Sequence, residues 1–473
     1  MTVTLHRIGR RFRQPADADG FDRRLIVPMI VSSVLNPVNS SILAVSLVPI
    51  GVAFGAPPAQ TAWLVSALYL ATAIGQPVVG RLIDLYGPRR LYLAGAALTG
   101  VAGILGLLAP ALWVLVLARV ILGFGTCAGY PASMYLIRRE AERTGHSSPT
   151  SVLTALSIAG QTIIVLGPTA GGLLIHLGGW RATFAVNIPL ALACLALGIR
   201  RLPKTPVAAG RGKFAGLDVP GIALFSVTLV ALLLFLMEPA WSHWYLPVIA
   251  VLAAAALVLR ELRTSEPFLD IRVLGGNLPL LATYVRGALT ALIGYCFLYG
   301  FTQWLEDGRG LSAATAGLVL LPMSLAGIGV SALTGRRQAI RGKMVVGAIA
   351  QIAAASLLLL VHASTTIWVL VAAVCIMGIP QGLNNLAIQN AVYHQADAER
   401  MASSAGLLRT FMYLGAIGSA AASGALLTRP AGTAALHHLS QFMLVAAVLF
   451  LLLTVADRSL GRIGRAETEL TGA

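Results

Sequence analysis

The run VPGIALFSVTLVALLLFLM occupies residues 219–237 and contains no charged residue. A helix rises about 1.5 Å per residue, so roughly 20 apolar residues cross the hydrocarbon core of a bilayer. The run is therefore typical of a transmembrane helix. The whole chain agrees with this interpretation, because 57% of its 473 residues are hydrophobic and only 11% are charged. This composition excludes a soluble globular domain or a disordered chain as the main architecture.

Similar apolar runs follow one another along the chain. We predict fourteen transmembrane helices, near residues 25–48, 61–81, 91–109, 112–136, 149–177, 182–199, 219–237, 244–260, 278–304, 313–334, 344–362, 367–393, 402–427 and 440–456. Backbone polar groups in lipid must be satisfied within their own segment, which favours helices. The predicted fold class is therefore an all-α integral membrane protein with no soluble catalytic domain.

The basic residues are distributed unevenly between the two sides of this topology. With the N-terminus inside, the inner segments hold 28 of the 34 Lys and Arg residues, and the outer segments hold Arg181, Arg309 and Arg429. The positive-inside rule then predicts a multi-pass protein of the inner (plasma) membrane with both termini in the cytoplasm. The net charge of +16 is explained by this topology and by attraction to anionic lipid, so we expect no nucleic-acid partner.

The residue types that bind metals, cofactors or nucleotides form no recognisable motif. The four cysteines are far apart in apolar runs, as expected for small hydrophobic residues: Cys127, Cys194, Cys296 and Cys375. No nucleotide-binding loop is present, so ATP is not expected to drive the protein directly. We predict no catalytic residue, no metal site and no cofactor.

A weak internal repeat indicates how the helices are grouped. The segment GRLIDLYG at residues 80–87 has a fainter copy, GRRQAIRG, at residues 335–342. Each segment follows the second span of a block of six, which suggests two six-helix halves. We predict five parts: a basic cytoplasmic N-terminus (1–24), an N-terminal six-helix bundle (25–200), a linker with two inserted transmembrane helices (201–275), a C-terminal six-helix bundle (276–457) and a cytoplasmic tail (458–473).

Several patterns with fixed spacing carry a family resemblance. They are Gly80-x3-Asp84-x2-Gly87-Pro88-Arg89-Arg90, Arg119-x3-Gly123-x-Gly125, Gly160-x6-Gly167-Pro168-x2-Gly171-Gly172 and Trp180-Arg181-x2-Phe184-x2-Asn187-x-Pro189. Together they resemble the major facilitator superfamily, and within it the fourteen-span drug:proton antiporter family. The resemblance covers nearly the whole chain. It implies a fold of two six-helix bundles with two inserted helices, and it links Arg119 to proton coupling.

Two of these patterns predict gating residues. Asp84 can accept hydrogen bonds from N–H groups at a helix start or pair with a nearby Arg, and such a contact would hold one conformation only. Gly167 and Gly171 form a small face beside Pro168, so span 5 should pack closely and bend. The predicted gating set is Gly80, Asp84, Gly87, Arg89, Arg90, Gly167, Pro168, Gly171 and Gly172. A charged surface loop and ordinary helix packing are the simpler alternatives.

Polar groups within the spans predict a substrate cavity. Charges inside a bilayer usually serve a function, and amides at i, i+4 and i+8 share one helix face. The predicted cavity set is Asn36, Asn39, Ser40, Arg119, Gln161, Arg286, Gln381, Asn385, Gln389 and Arg409. Helix–helix adhesion is the alternative for the amides. Packing or interfacial positions are favoured for the aromatic residues Tyr284, Tyr295, Tyr299, Tyr413 and Trp304.

The acidic residues are notable for their position. None of the 18 Asp and Glu lies at mid-membrane, and the first span carries Asn39-Ser40 in the region where the resembling family usually has an Asp. A neutral Asn cannot carry a proton near pH 7. If protons are coupled, they must bind elsewhere, and we predict Glu306 and Asp307 at the outer end of span 9 as the proton site.

These features predict a secondary transporter that exports lipophilic or amphiphilic small molecules such as drugs, natural products or lipids. Two alternatives remain open at this point: a proton-independent facilitator or exchanger of an organic anion, and a membrane receptor or scaffold that transports nothing. The expected partners are the small-molecule substrate and membrane lipid, and the protein is expected to be a monomer.

Overall fold

The computed structural model describes residues 21–56, 58–61, 63–144, 150–204, 218–237, 240–264, 267–269, 275–311, 313–335, 339–427 and 432–461. In these ranges the chain forms sixteen α-helices and no β-strand. They are α1 (Ile26–Phe54), α2 (Pro58–Thr61), α3 (Trp63–Tyr86), α4 (Pro88–Leu107), α5 (Leu112–Thr126), α6 (Gly129–Thr144), α7 (Thr150–Ala185), α8 (Asn187–Arg201), α9 (Val219–Met237), α10 (Tyr245–Glu261), α11 (Leu278–Gln303), α12 (Ala313–Thr334), α13 (Ile340–Leu358), α14 (Ile367–Gln395), α15 (Met401–Leu426) and α16 (Thr433–Ala456).

Each predicted span has a helix at its place, and the fourth is formed by α5 and α6 together. Within the described ranges, eleven helices are long and apolar enough to cross a membrane, or twelve if the bent α7 counts as one span. Helix α8 has only 15 residues, and α15 contains Arg409 and several Ser and Gly residues. The chain is thus an all-helical, multi-pass membrane protein, and the count of fourteen spans stays a prediction.

Glycine and proline set several of the helix ends. Gly55 ends α1 with a φ of 60°, and Gly87 separates α3 from α4 with a φ of 83°. Glycine adopts positive φ without steric cost. Pro88 follows at the first position of α4, where its missing N–H leaves no hydrogen bond unmade. This turn fixes the direction in which α3 ends, and Asp84 lies in its last turn.

The helices pack mainly in two groups, which we call the first group (α1 and α3–α8) and the second group (α11–α16). In the first group α1 packs on α7, and α4 packs on α5 and α8. In the second group α11 packs on α15, and α14 packs on α12 and α13. The two groups meet where α3 and α6 contact α15, and where α7 contacts α12 and α14.

Helices α9 and α10 form a hairpin between these groups in the sequence. They pack on each other, and Arg260 at the end of α10 donates to Asp218 just before α9 at 2.7 Å. Helix α9 also contacts α3 and α15. Helix α10 leaves large apolar side chains uncovered, with Val251 67% and Leu252 65% exposed. Such a face is suited to lipid rather than water.

Candidate functional site

Helices α3 and α15 touch through their backbones, and we call this contact the α3–α15 seam. A Cβ added to Gly80 would lie 2.5 Å from the carbonyl oxygen of Ala402, and one added to Gly406 would collide with the carbonyl of Gln76. The Thr410 hydroxyl donates to the carbonyl of Ala73 at 2.7 Å. Only glycine allows this approach, because any larger side chain would push the two helices apart.

Asp84 binds the start of α15 across this seam. Its carboxylate accepts hydrogen bonds from the N–H of Ala402 at 3.0 Å, the N–H of Ser403 at 2.9 Å and the hydroxyl of Ser403 at 2.6 Å. The first N–H groups of a helix have no partner within the helix and carry the positive end of its dipole. Asp84 therefore caps a helix of the other group, which is one of the two contacts expected from the sequence.

The other residues of this motif act within the first group. Arg89 donates to the carbonyl of Ile199 at 2.9 Å, near the end of α8, where a cation also complements the helix dipole. Arg90 is exposed, and Gly87 provides the turn between α3 and α4. Within this motif, Asp84 is thus the residue that binds across the seam, while Gly87 and Arg89 position the loop between α3 and α4.

Gly167 and Gly171 of α7 face α1. A Cβ on Gly171 would lie 2.7 Å from a methyl group of Val45 and 3.2 Å from the Cα of Ile42, and one on Gly167 would collide with Ser41. Gly172 faces open space, with nothing within 4 Å of an added Cβ. Helix α7 bends by 51° between Ser151–Ile164 and Thr169–Ala185. The side chain of Pro168 lies outside the described residues.

A second polar contact joins α7 to the second group. Gln161 donates to the hydroxyl of Ser331 at 3.0 Å, and that hydroxyl lies 3.2 Å from the carbonyl of Gly382. The side-chain oxygens of Gln161 and Gln381 both lie close to Gly327 of α12, and both are buried without a hydrogen-bond partner. Two amides predicted for the cavity are thus brought together between α7, α12 and α14.

The other amides of α14 have different surroundings. Asn385 donates to the carbonyl of Gln381 in its own helix at 3.0 Å and is half-buried, while Gln389 is only 8% exposed. The neighbouring Asn384 is fully buried against Gly347 of α13. Of the predicted stripe, Gln381 lies close to α12, whereas Asn384, which lies outside the stripe, contacts α13.

Asn36 connects four helices in the middle of α1. It accepts a hydrogen bond from the Tyr413 hydroxyl at 3.1 Å and donates to the hydroxyls of Thr126 at 3.1 Å and Thr72 at 3.4 Å. These partners lie on α15, α5 and α3. Ser40, one turn further along α1, lies beside Tyr69 of α3. Asn39 makes a reciprocal amide pair with Asn187 of α8, at 2.7 and 2.9 Å.

Four tyrosines meet next to Asn36, and we call them the tyrosine cluster: Tyr69, Tyr295, Tyr299 and Tyr413. The rings of Tyr69 and Tyr413 are 5.6 Å apart, and those of Tyr295 and Tyr299 stack at 5.7 Å. Tyr299 is 45% exposed although it lies within hydrogen-bonding reach of Tyr69. The cluster brings α3 of the first group together with α11 and α15 of the second. Sequence reasoning favoured packing roles for three of these residues and missed Tyr69, because only the fold brings α3, α11 and α15 together.

Two of the three predicted intramembrane arginines have hydrogen-bond or ion-pair partners within the protein. Arg119 is 2% exposed and donates to the carbonyls of Leu64 at 3.1 Å and Asn39 at 3.4 Å. Arg286 is fully buried and forms an ion pair with Asp457 at 2.8 Å. For Arg286 this pairing favours a structural role over the predicted cavity role, because its charge already has a partner.

Asp457 lies just beyond the end of α16, outside the membrane-spanning segments. Burial acts to raise the pKa of this carboxyl, but hydrogen bonds from Ser459 and Arg286 outweigh that effect and hold the pKa below its usual value. The ion pair therefore stays charged at neutral pH and ties α11 to the end of α16.

Arg409 is in a different position from the other two. It is half-buried, and its guanidinium carbon lies 4.2 Å from the centre of the Tyr130 ring of α6. It forms no hydrogen bond or ion pair with any residue that the structure describes. An arginine stacked on a tyrosine keeps its N–H donors free in the plane of the guanidinium.

The described carboxylates all lie at or near helix ends. They are Asp22, Asp84, Glu140, Glu142, Asp218, Glu261, Glu306, Asp397, Glu399 and Asp457. Glu306 is half-buried in the π-helical turn after α11, and the side chain of Asp307 lies outside the described residues. Among the described residues no group of three or more His, Cys, Asp or Glu is placed to hold a metal ion.

Comparison with known proteins decides the family. The Major Facilitator Superfamily model matches residues 29–420. The chain belongs to this superfamily. This match confirms the resemblance to the superfamily that was drawn from the motifs. Members of the superfamily are transporters rather than enzymes.

Two curated relatives and one solved structure are similar to this chain. The uncharacterized MFS-type transporter YwoD of Bacillus subtilis is 35% identical over 434 residues, covering 89% of this chain and 94% of the relative. The multidrug efflux pump LfrA of Mycolicibacterium smegmatis is 28% identical over 410 residues, covering 83% and 78%. The human organic anion transporter MFSD10 is similar in fold, with a TM-score of 0.64 over 90% of this chain and 99% of that chain at 14% identity.

Proposed function

We propose that this superfamily transporter exports lipophilic or amphiphilic small molecules across the plasma membrane by alternating access. The observation that supports this most directly is the Asp84 contact with α15. It joins the two helix groups through three hydrogen bonds that can all be broken by moving one helix end. A reversible contact of this kind is what a transporter with two alternating states requires.

The seam and the second polar contact would open together. Both lie between the first and second groups, one at α3 and α15 and the other at α7, α12 and α14. In the proposed cycle, substrate enters the space beside the tyrosine cluster from the cytoplasm while these contacts are broken, because both contacts lie towards the predicted inner ends of their helices. Forming them closes the inner side and exposes the same space to the other side of the membrane.

The cargo class is inferred from two kinds of support. The tyrosine cluster offers large amphipathic rings to a ligand, and its member Tyr299 is 45% exposed. The relative LfrA is named as a multidrug efflux pump, and its sequence aligns with most of this chain. Antiport with protons is part of the proposal only through Glu306 and Asp307, since the described carboxylates are absent from the helix centres.

The experiment is direct flux through purified protein in proteoliposomes. A panel of fluorescent amphiphiles is followed with and without an imposed pH gradient, using protein-free liposomes as the background. We expect at least one probe to move severalfold faster with wild type than without protein, and Asp84→Asn to reduce that flux. Rates equal to the background for every probe would contradict the transport proposal and favour a receptor or scaffold.

A further inference from the structure

Arg409 is a charged group placed where a ligand can reach it. It is the ninth residue of the 26-residue helix α15, about two turns from the start of the helix. It is half-buried, and no described residue neutralises it or accepts a hydrogen bond from it. Leaving a charge unpaired within a membrane protein is costly, so such a group is a candidate for function rather than for stability.

The other two intramembrane arginines provide the comparison within the same molecule. Arg119 donates to two backbone carbonyls, and Arg286 has Asp457 as its counter-ion. Both of these arginines thus have partners supplied by the fold itself. Arg409 instead rests its guanidinium on the Tyr130 ring, which fixes the plane of the guanidinium but uses none of its five N–H donors.

Arg409 lies near aromatic residues of both groups. Arg409 interacts electrostatically with Tyr295 and Tyr413, both members of the tyrosine cluster. Tyr130 and Tyr69 belong to the first group, while Arg409, Tyr295 and Tyr413 belong to the second. A ligand that contacts Arg409 and these rings would therefore touch both groups, as a transported substrate must.

The charge balance decides which ligand fits. Aromatic rings can attract a cation, but Arg409 already occupies the face of Tyr130, and a second cation nearby would be repelled. Every described carboxylate lies at or near a helix end, so a cationic ligand would find no described counter-charge beside the tyrosine cluster. A carboxylate, sulfonate or phenolate would instead receive paired N–H donors from the guanidinium.

We propose that Arg409 and the tyrosine cluster bind an aromatic organic anion, with the anionic group on Arg409 and the ring against the tyrosines. This inference rests on the proposed function and specifies its substrate class. The same space can admit neutral amphiphiles, which lack only the contact with the guanidinium.

The test uses three probes with one ring system and different charges. They are 2-naphthalenesulfonate, 2-naphthalenesulfonamide and (2-naphthylmethyl)trimethylammonium, which are anionic, neutral and cationic. Equilibrium binding to the purified full-length protein is measured first, and flux in proteoliposomes second. We expect wild type to bind the sulfonate at least about tenfold more tightly than the other two, the range of a hydrogen bond to a charged group.

Variants assign that preference to Arg409. Arg409→Gln should abolish the preference for the sulfonate and leave binding of the sulfonamide within about twofold. Arg409→Lys should keep the preference with weaker binding, because an ammonium neither stacks on Tyr130 nor offers paired donors. The matched control is Arg138→Gln, which also removes a half-buried arginine that lies over a tyrosine ring, here Tyr393 at 5.5 Å, but one that already has an ion-pair partner in Glu142 at 3.0 Å. This control should bind all three probes like wild type.

Each outcome separates this inference from the proposed function. Equal binding of the three probes by wild type, or equal loss of all three in a folded Arg409→Gln protein, would overturn the anion site. If Arg409→Gln does not fold, loss of the sulfonate preference in Arg409→Lys would overturn it as well. If the sulfonamide or the ammonium is transported and the sulfonate is not preferred, the anion site is contradicted and the transporter proposal is supported. Selective sulfonate binding without flux supports the anion site and contradicts transport.

Discussion

Replacing Asp84 by Asn should shift the protein away from the state described here. Asn has nearly the same shape as Asp but no charge, and its amide nitrogen is a donor. It can accept at one oxygen only, so its nitrogen would face either the N–H of Ala402 or the N–H of Ser403, which are themselves donors. The variant therefore loses the charge-assisted part of the contact and at least one of the two backbone hydrogen bonds.

The magnitude follows from what Asp84 gains in each state. A hydrogen bond to a charged group contributes about 1.5–3 kcal/mol net, but Asp84 regains water when the seam opens. Substitution of a helix-capping side chain costs about 0.5–2 kcal/mol. We therefore expect a shift of about 1–3 kcal/mol between the two states, which changes their ratio by roughly 5–150-fold.

The assay measures the distance across the seam directly. Spin labels are placed at the exposed positions Arg90 on α4 and Glu399 before α15, through Arg90→Cys and Glu399→Cys. In wild type we expect a predominant short distance, and in Asp84→Asn a second, longer population together with flux reduced at least about fivefold.

A matched control lies in the turn that precedes α15. Asp397 also accepts from a backbone N–H, that of Glu399 at 3.1 Å, but within its own group, so Asp397→Asn should leave the distances unchanged. Normal flux and an unchanged distance distribution in a well-folded Asp84→Asn protein would refute the role of this contact.

Three further predictions concern packing, pH and coupling. Gly171→Leu should lower thermal stability and flux because its side chain meets the backbone of α1, whereas Gly172→Leu, which faces open space, should preserve both; equal effects would contradict this packing. Asp457→Asn should destabilise the protein by about 1–3 kcal/mol at pH 7, measured as the melting temperature, because buried Arg286 loses its partner. Since the folded-state pKa of Asp457 is lowered, the stabilisation by the ion pair is present above the ordinary aspartate pKa of about 3.9 and is lost as the pH falls through the lowered value. An Asp457→Asn protein with the same melting temperature as wild type at pH 7 would contradict the stabilising role of the ion pair. If Glu306 binds the coupled proton, flux through Glu306→Gln should no longer respond to a pH gradient, and an unchanged response would exclude it.

The helices could be predicted from the sequence because hydropathy is a local property of each run. The sequence also indicated that Asp84 would bind a helix start or an arginine, but it could not identify α15 as the partner. The reason is that the partners at Ala402 and Ser403 are backbone N–H groups, which every residue except proline possesses. Gly80 and Gly406 mark the close approach, yet glycine is common in membrane helices and does not specify which helix it faces.

The side-chain partners that lie far apart in sequence were harder to anticipate. Arg286 and Asp457 are separated by 171 positions, so the pair becomes evident only when α11 and α16 are packed together. The tyrosine cluster draws on α3, α11 and α15, and no periodicity links these residues. Arg409 could be predicted as a cavity residue from the sequence alone, because a charge within a bilayer is costly whatever the packing of the helices.

The internal repeat explains why the two contacts between the groups differ. Gly80 of α3 approaches α15, and Gly335 of α12 approaches Thr154 of α7 in the corresponding way, so each repeat places a glycine against a helix of the other group. The position that holds Asp84 in the first repeat holds Ala339 in the second. Only the first repeat therefore supplies a carboxylate to a helix start, while the second contact relies on the uncharged pair Gln161 and Ser331. Because a charge-assisted hydrogen bond is roughly twice as strong as a neutral one, opening of the α3–α15 seam should contribute more to the free-energy difference between the two states.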